Sequence, residues 1–112
     1  MAIFDVEQAD SLRSKLSGEG IVLVDYGAPW CPPCKVLLPL LEELDGEYGE
    51  EVTIAKVNCD HLPELASEAS VMGLPTVIVY KDGQPMEKLV GLQPKAVYQG
   101  VLNKYSGAKA TH

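Results

Sequence analysis

Asp25-Tyr26-Gly27-Ala28-Pro29-Trp30-Cys31-Pro32-Pro33-Cys34-Lys35 decides how the rest of the 112-residue chain is read. Just before it, Ile21-Val22-Leu23-Val24 is apolar at every position, the pattern of a central strand covered on both faces. After it, from Cys34 to Tyr48, the positions Val36, Leu37, Leu38, Leu40, Leu41 and Leu44 have the density of a buried helix, with Glu42 and Glu43 turned outward. A Cys-x-x-Cys therefore lies where a strand ends and a helix begins. There Cys31 faces unpaired backbone N–H groups and the positive end of the helix dipole, and both favour thiolate over thiol. Cysteines three apart at a helix start can close a small disulfide ring, so that one attacks and the other resolves. The same spacing also serves as half a zinc site or as two small buried side chains. A structural zinc site needs a second ligand pair, and Cys59, His61 and His112 offer no second knuckle. The strand-to-helix context favours redox chemistry.

Outward from this stretch the elements alternate. Residues 2–5 extend as a short edge strand, and Val6, Ala9, Leu12 and Leu16 recur at helical spacing with Asp5 as the expected N-cap, until Gly18 and Gly20 stop the helix. Pro39 falls inside the buried helix, where it removes a backbone hydrogen bond and predicts a kink, and Gly46 and Gly49 mark the helix end. Residues 52–59 form the next strand. Asp60 or His61 followed by Leu62-Pro63 marks a helix start, with Leu62, Leu65, Ala66 and Ala69 as its inner stripe. Residues 76–80 and 86–90 are strands joined through Asp82-Gly83, a two-residue hairpin signal, and Gly91 ends the second. The last helix starts near Pro94 and is expected to bury Val97, Val101, Leu102 and Tyr105. The order β-α-β-α-β-α-β-β-α predicts an α/β fold, a mixed central sheet with a parallel core and an antiparallel C-terminal hairpin, flanked by helices on both faces. Residues 1–106 make one domain, and 107–112 lack any pattern and read as a loose tail.

Composition narrows the function classes. The chain is 46% apolar and 22% charged, as in an ordinary globular domain, and its formal charge of −7 argues against nucleic acid and anionic membrane surfaces as partners. No signal-peptide pattern opens the sequence and no apolar run approaches a membrane span, so the expected location is cytoplasmic. In a reducing compartment, three cysteines point to catalysis rather than to stapling.

The segments Val24-Asp25, Ala28-Pro29-Trp30-Cys31-x-Pro33-Cys34-Lys35, Pro39, Ala55-Lys56-Val57-Asn58, Gly73-Leu74-Pro75-Thr76, Lys81-Asp82-Gly83 and Val90-Gly91, in this order, resemble the thioredoxin family over residues 2 to 105. Two departures stand out. The usual intervening Gly-Pro is Pro32-Pro33, and the aromatic residue usual at the position of Gly27 is missing.

The resemblance implies the thioredoxin fold and a redox disulfide, Cys31–Cys34. Cys31 is then the exposed nucleophile that forms a mixed disulfide with a target, and Cys34 the buried thiol that resolves it. A buried thiol keeps a raised pKa, and strand alternation puts Asp25 on the core face with Ile21 and Leu23, where a desolvated carboxylate can take its proton. The plainer reading of Asp25 is a solvated carboxylate at a strand end. Lys56, in register with Ile54, either lies near Asp25 and tempers its pKa or snorkels with its amine in water. Gly73-Leu74-Pro75-Thr76 resembles the family's cis-proline loop, which offers backbone groups to an extended substrate. Trp30, Pro29, Leu74, Val90 and Gly91 are expected to form an apolar rim for protein partners, although singly such residues mean little. Cys59 reads as a packing residue at a strand end.

Pro32 and Pro33 are expected to tune the redox couple. Pro32 has no N–H to offer a Cys31 thiolate, which favours the disulfide, while a stiffer ring favours the dithiol. No cofactor or metal is expected to be bound. Electrons would come from NADPH or ferredoxin through a separate thioredoxin reductase and pass to disulfide-containing target proteins, the chain acting as a monomer. The alternatives are a thiol oxidant or isomerase of the same fold, and a binding module without redox turnover.

Overall fold

The structure, a computed structural model, describes residues 3–106. The expectation of a loose tail at 107–112 falls outside them. Five strands, β1 (Phe4–Asp5), β2 (Ile21–Gly27), β3 (Val52–Asn58), β4 (Thr76–Lys81) and β5 (Gln84–Val90), form one sheet in the order β1-β3-β2-β4-β5. The first three in that order run parallel, and β4 and β5 are added antiparallel. Helices α1 (Ala9–Leu16), α2 (Pro32–Tyr48), α3 (Pro63–Glu68) and α4 (Lys95–Ser106) cover the two faces. No helix among the described residues is long and apolar enough to cross a membrane.

Every residue of β2 is buried, so its alternate side chains supply two separate cores. Ile21 and Leu23 join Leu37, Leu41 and Leu44 of α2 and Tyr98 and Leu102 of α4. Val22, Val24 and Tyr26 join Leu12 of α1 and Leu65 of α3. Burying one such leucine is worth about 1.5–3 kcal/mol, so the row of three along α2 fixes that helix against the sheet. The position of Cys31 and Cys34 follows from this, because they open the same helix. At the far end of the sheet Asp82 and Gly83 both have positive φ, 53° and 85°, as a primed two-residue turn requires. A Cβ at Gly83 would come within 2.7 Å of the Leu16 carbonyl oxygen. That turn has room for glycine alone.

Several expected boundaries and burials are corrected. Helix α1 begins at Ala9 with Gln8 as its N-cap, not at Asp5, because Val6 still donates its N–H to the Lys56 carbonyl and prolongs the edge-strand pairing. Helix α3 is capped by Leu62 rather than by Asp60 or His61, whose N–H groups are taken by the Asn58 side chain. Val36 and Val97 are exposed, and the buried place on α4 belongs to Tyr98. Pro39 sits inside α2, which runs unbroken from Pro32 to Tyr48.

Candidate functional site

Helix α2 starts immediately after Cys31, with Pro32 and Pro33 as its first two residues. Proline suits a first turn, since its fixed φ is already helical and its missing N–H would have no helical partner. The N-cap position is filled by Cys31, whose sulfur accepts from the Cys34 N–H at 3.3 Å. Cap side chains draw on the N–H of the second or third helical residue, and here the second, Pro33, has none. The Cys34 N–H, at the third position, is the cap donor that remains.

Cys31 and Cys34 are joined as a disulfide, and among the described residues no group of three His, Cys, Asp or Glu side chains is placed to hold a metal ion. In this oxidised form the expectation of an exposed Cys31 is not met. Cys31 is 3% and Cys34 6% exposed, packed with Ala28 and Leu74. Exposure therefore does not rank the two sulfurs, and the asymmetry between them lies in their backbone: Cys31 caps the helix, Cys34 is inside it.

Asp25 lies behind them on β2, on the side of Ile21 and Leu23 as alternation predicts. It is 4% exposed, its Oδ1 has no hydrogen-bond partner, and burial pushes its pKa from 3.8 up to about 7. Lys56, directly in register on β3, pulls the other way but less strongly. The Lys56 amine is partly drawn off by Asp5, 3.7 Å away, and the lysine is about one-third exposed. Lys56 is thus in register with Asp25 while its side chain stays partly exposed.

The loop before β4 completes the front of the site. The Leu74–Pro75 peptide is cis, Thr76 Oγ1 donates to the Gly73 carbonyl at 2.6 Å, and the Gly91 N–H donates to the Pro75 carbonyl at 2.7 Å. These bonds tie residues 73–76 to the end of β5. Leu74 is half-buried against the cysteines and Pro75 is buried, while Pro29, Trp30 and Val90 are exposed and Gly91 is half-buried. Trp30 is 64% exposed, yet its indole N–H donates to Asp60 Oδ2 at 2.6 Å, which fixes the ring in place. Met72, 93% exposed beside Gly73, is a further apolar side chain on this loop. A single methionine carries no periodic signal, so sequence reasoning passed over it. Cys59 follows β3, half-buried, its N–H donated to the Gly27 carbonyl and its pKa pushed up to about 11, first by burial and then by Asp25 and Asp60. Such a thiol is a poor nucleophile at neutral pH.

One feature behind the disulfide was signalled in the sequence only by the missing side chain of Gly27. A cavity of about 370 Å³ is lined by Asp25, Gly27, Cys34, Leu38, Lys56 and Val57, with Asp5, Glu7 and Lys35 also in its lining.

The family model described as Thioredoxin matches residues 4–104. A thioredoxin of Bacillus subtilis is 44% identical over 100 residues, covering 89% of this chain and 96% of its own. One of Staphylococcus aureus is 47% identical over 105 residues, covering 94% and 99%. Among solved structures, oxidised mitochondrial thioredoxin 3 of Saccharomyces cerevisiae aligns with a TM-score of 0.82 and 31% identity, over 90% of this chain and 94% of its own. The Malassezia sympodialis thioredoxin aligns with a TM-score of 0.86 and 28% identity, over 94% and 91%.

Proposed function

The chain belongs to the thioredoxin family, as a thiol-disulfide oxidoreductase that needs no bound cofactor, and from that premise we propose that it reduces disulfides in other proteins. The observation that carries the reading is a disulfide at a helix N-cap with a buried, unpartnered carboxylate behind it. In the reduced form the Cys31 thiolate, held by the Cys34 N–H and the helix dipole, attacks a sulfur of the target disulfide. A mixed disulfide forms and one target thiolate leaves. Asp25 then takes the proton of Cys34, whose thiolate attacks Cys31 Sγ, closes the Cys31–Cys34 bond and releases the second target thiolate. Burial raises the Asp25 pKa to about 7, so this resolving step is expected to quicken as pH rises through that region.

The target enters as an extended segment against the Leu74–Pro75 loop, and Trp30, Pro29, Leu74, Val90 and Gly91 supply the apolar rim on which it rests. Thioredoxins generally work with a thioredoxin reductase and disulfide targets. We assign this chain a cytoplasmic location, a single working domain at residues 1–106, and recycling by a separate reductase fed by NADPH or ferredoxin.

The test is the midpoint potential of Cys31–Cys34 together with reduction of insulin disulfides on the same sample. A potential near about −270 mV with insulin turnover supports a reductant, and one near about −120 mV points instead to an oxidant or isomerase. Replacing both Cys31 and Cys34 by serine separates either from a binding module, whose function would survive.

A further inference from the structure

The cavity behind the disulfide reaches Cys34 but not Cys31, and its walls include neither the Leu74–Pro75 loop nor Val90 and Gly91. It is a second approach to the same disulfide, and of the rim residues assigned to protein targets Pro29 alone lines it. Gly27 holds it open. A Cβ built there would lie 3.3 Å from Cys34 Sγ and 3.6 Å from Asp25 Oδ1, so a side chain at this position would stand between the cavity and both groups. At 370 Å³ the space admits a molecule of amino-acid or dipeptide size but not a protein chain. Its lining is mixed in charge, with Lys35 and Lys56 opposed by Asp5, Glu7 and Asp25, around apolar walls from Val57 and Leu38. That combination suits a zwitterion carrying a short apolar or sulfur-bearing arm.

We propose that this cavity admits a small amino-acid thiol, which reduces the disulfide by attacking Cys34 from behind. The proposal rests on Cys31–Cys34 being an exchanging disulfide and adds an electron source to it. The thiolate of the small molecule bonds to Cys34 Sγ as the Cys31–Cys34 bond breaks. The electron pair leaves on Cys31 Sγ, already capped by the Cys34 N–H and so a good leaving group. The proton released by the incoming thiol passes to the Asp25 carboxylate in the same cavity. A second small thiol then gives its proton to the Cys31 thiolate and attacks the first one's sulfur, freeing a small disulfide and the Cys34 thiolate, which takes the first proton back from Asp25. In sum, two small thiols become one disulfide and the protein gains two electrons and two protons.

The experiment uses the full chain with Cys31→Ser, leaving Cys34 free, and L-cystine as probe. Transfer of one cysteinyl group to Cys34 is followed by mass spectrometry with peptide mapping, Cys59 being scored separately. We expect modification at Cys34 that saturates with cystine concentration and falls at least tenfold when Gly27→Trp or Leu38→Phe fills the cavity. Circular dichroism of each variant reports its folding. A measurement free of cavity substitutions compares cystine with a disulfide anchored on a carrier protein, and cystine should react with Cys34 at least tenfold faster. Equal rates for the two probes, or modification unchanged in a folded cavity-filled variant, would overturn the proposal, because entry would then be through the target face. Insulin reduction by the unmodified chain is read separately, so a failure here leaves the protein-disulfide reading testable by itself.

Discussion

Asp25 and Tyr26 are neighbours on β2 and bury their polar ends on opposite faces of the same sheet, yet only one of them is matched. The Tyr26 hydroxyl, in a residue 1% exposed, shares a hydrogen bond with the Tyr80 hydroxyl at 2.9 Å. The Asp25 Oδ1 has no hydrogen-bond partner. An unmatched buried polar atom costs stability, so a fold optimised only for stability would have paired or removed it. The face with the satisfied pair is structural. The face with the unsatisfied carboxylate carries the disulfide, and its instability is the reserve on which proton transfer draws.

The largest effect is expected from Asp25→Asn. A carboxyl whose folded pKa is about 7 against 3.8 unfolded binds more protons folded than unfolded between those values, so stability is lost as pH rises through that window. The full penalty, present above about pH 7, is on the order of 4 kcal/mol. The variant cannot ionise there, so urea denaturation should find it more stable than the parent by up to about that amount at pH 8, the gap closing towards pH 4. Its insulin reduction should fall at the same time. A stability gap that does not change with pH would mean that Asp25 titrates normally and is not the base.

On the other face the sign reverses. Tyr26→Phe leaves the Tyr80 hydroxyl buried and unmatched, and should destabilise by about 1–2 kcal/mol. Burial holds the Tyr26 hydroxyl well above its ordinary pKa, so the loss should be flat from pH 5 to pH 8. Replacing Tyr80 by phenylalanine as well removes that orphan and should recover most of the loss, a double-mutant cycle that a purely packing role for Tyr26 would not reproduce.

How far these contrasts could be read in advance depends on what each feature rests upon. The alternation of Ile21, Leu23 and Asp25 against Val22, Val24 and Tyr26 is period-two patterning, and it placed Asp25 on its face correctly. The Asp82-Gly83 turn and the strand-to-helix seat of the cysteines are equally local. Burial on a helix is less so: Val36 and Val97 look like core residues, but whether an apolar residue is covered depends on what packs over it. The start of α1 depended on a long-range bond from Val6 to the Lys56 carbonyl, which no nearby residue announces. The cavity is harder still, because a glycine in a strand shows that a side chain is missing without showing what space that leaves.

Cys31 has one backbone donor because its helix opens with two prolines, and Pro33 occupies the position whose N–H would normally join the Cys34 N–H at the cap. Pro33→Ala should add that donor, lower the Cys31 pKa in the reduced form and make the couple more oxidising. About 1.4 kcal/mol of thiolate stabilisation corresponds to about 30 mV. Pro32→Gly restores an N–H one place earlier, where cap side chains seldom reach, so its effect should be smaller and come from loosening the ring. Equilibration with glutathione buffers separates the two variants, and a larger shift for Pro32→Gly would reverse the assignment.

The smallest effect is expected from the lysine beside Asp25. Lys56 lies in register beside it and lowers its pKa, but the lysine is about one-third exposed and shared with Asp5. Water and salt therefore screen much of its field. Removing the charge with Lys56→Met should raise the Asp25 midpoint by a few tenths of a pH unit, an order-of-magnitude figure for a screened charge. Asp5→Asn, which releases the amine, should lower it by no more than that. Both are read from the infrared carboxylate band of Asp25 during a pH titration, with Asp25→Asn as the blank. Opposite signs for the two variants identify Lys56 as a regulator of the buried carboxylate. A fall with Lys56→Met would instead mean that the lysine acts by excluding water from the cavity, and that burial alone sets the proton affinity of the site.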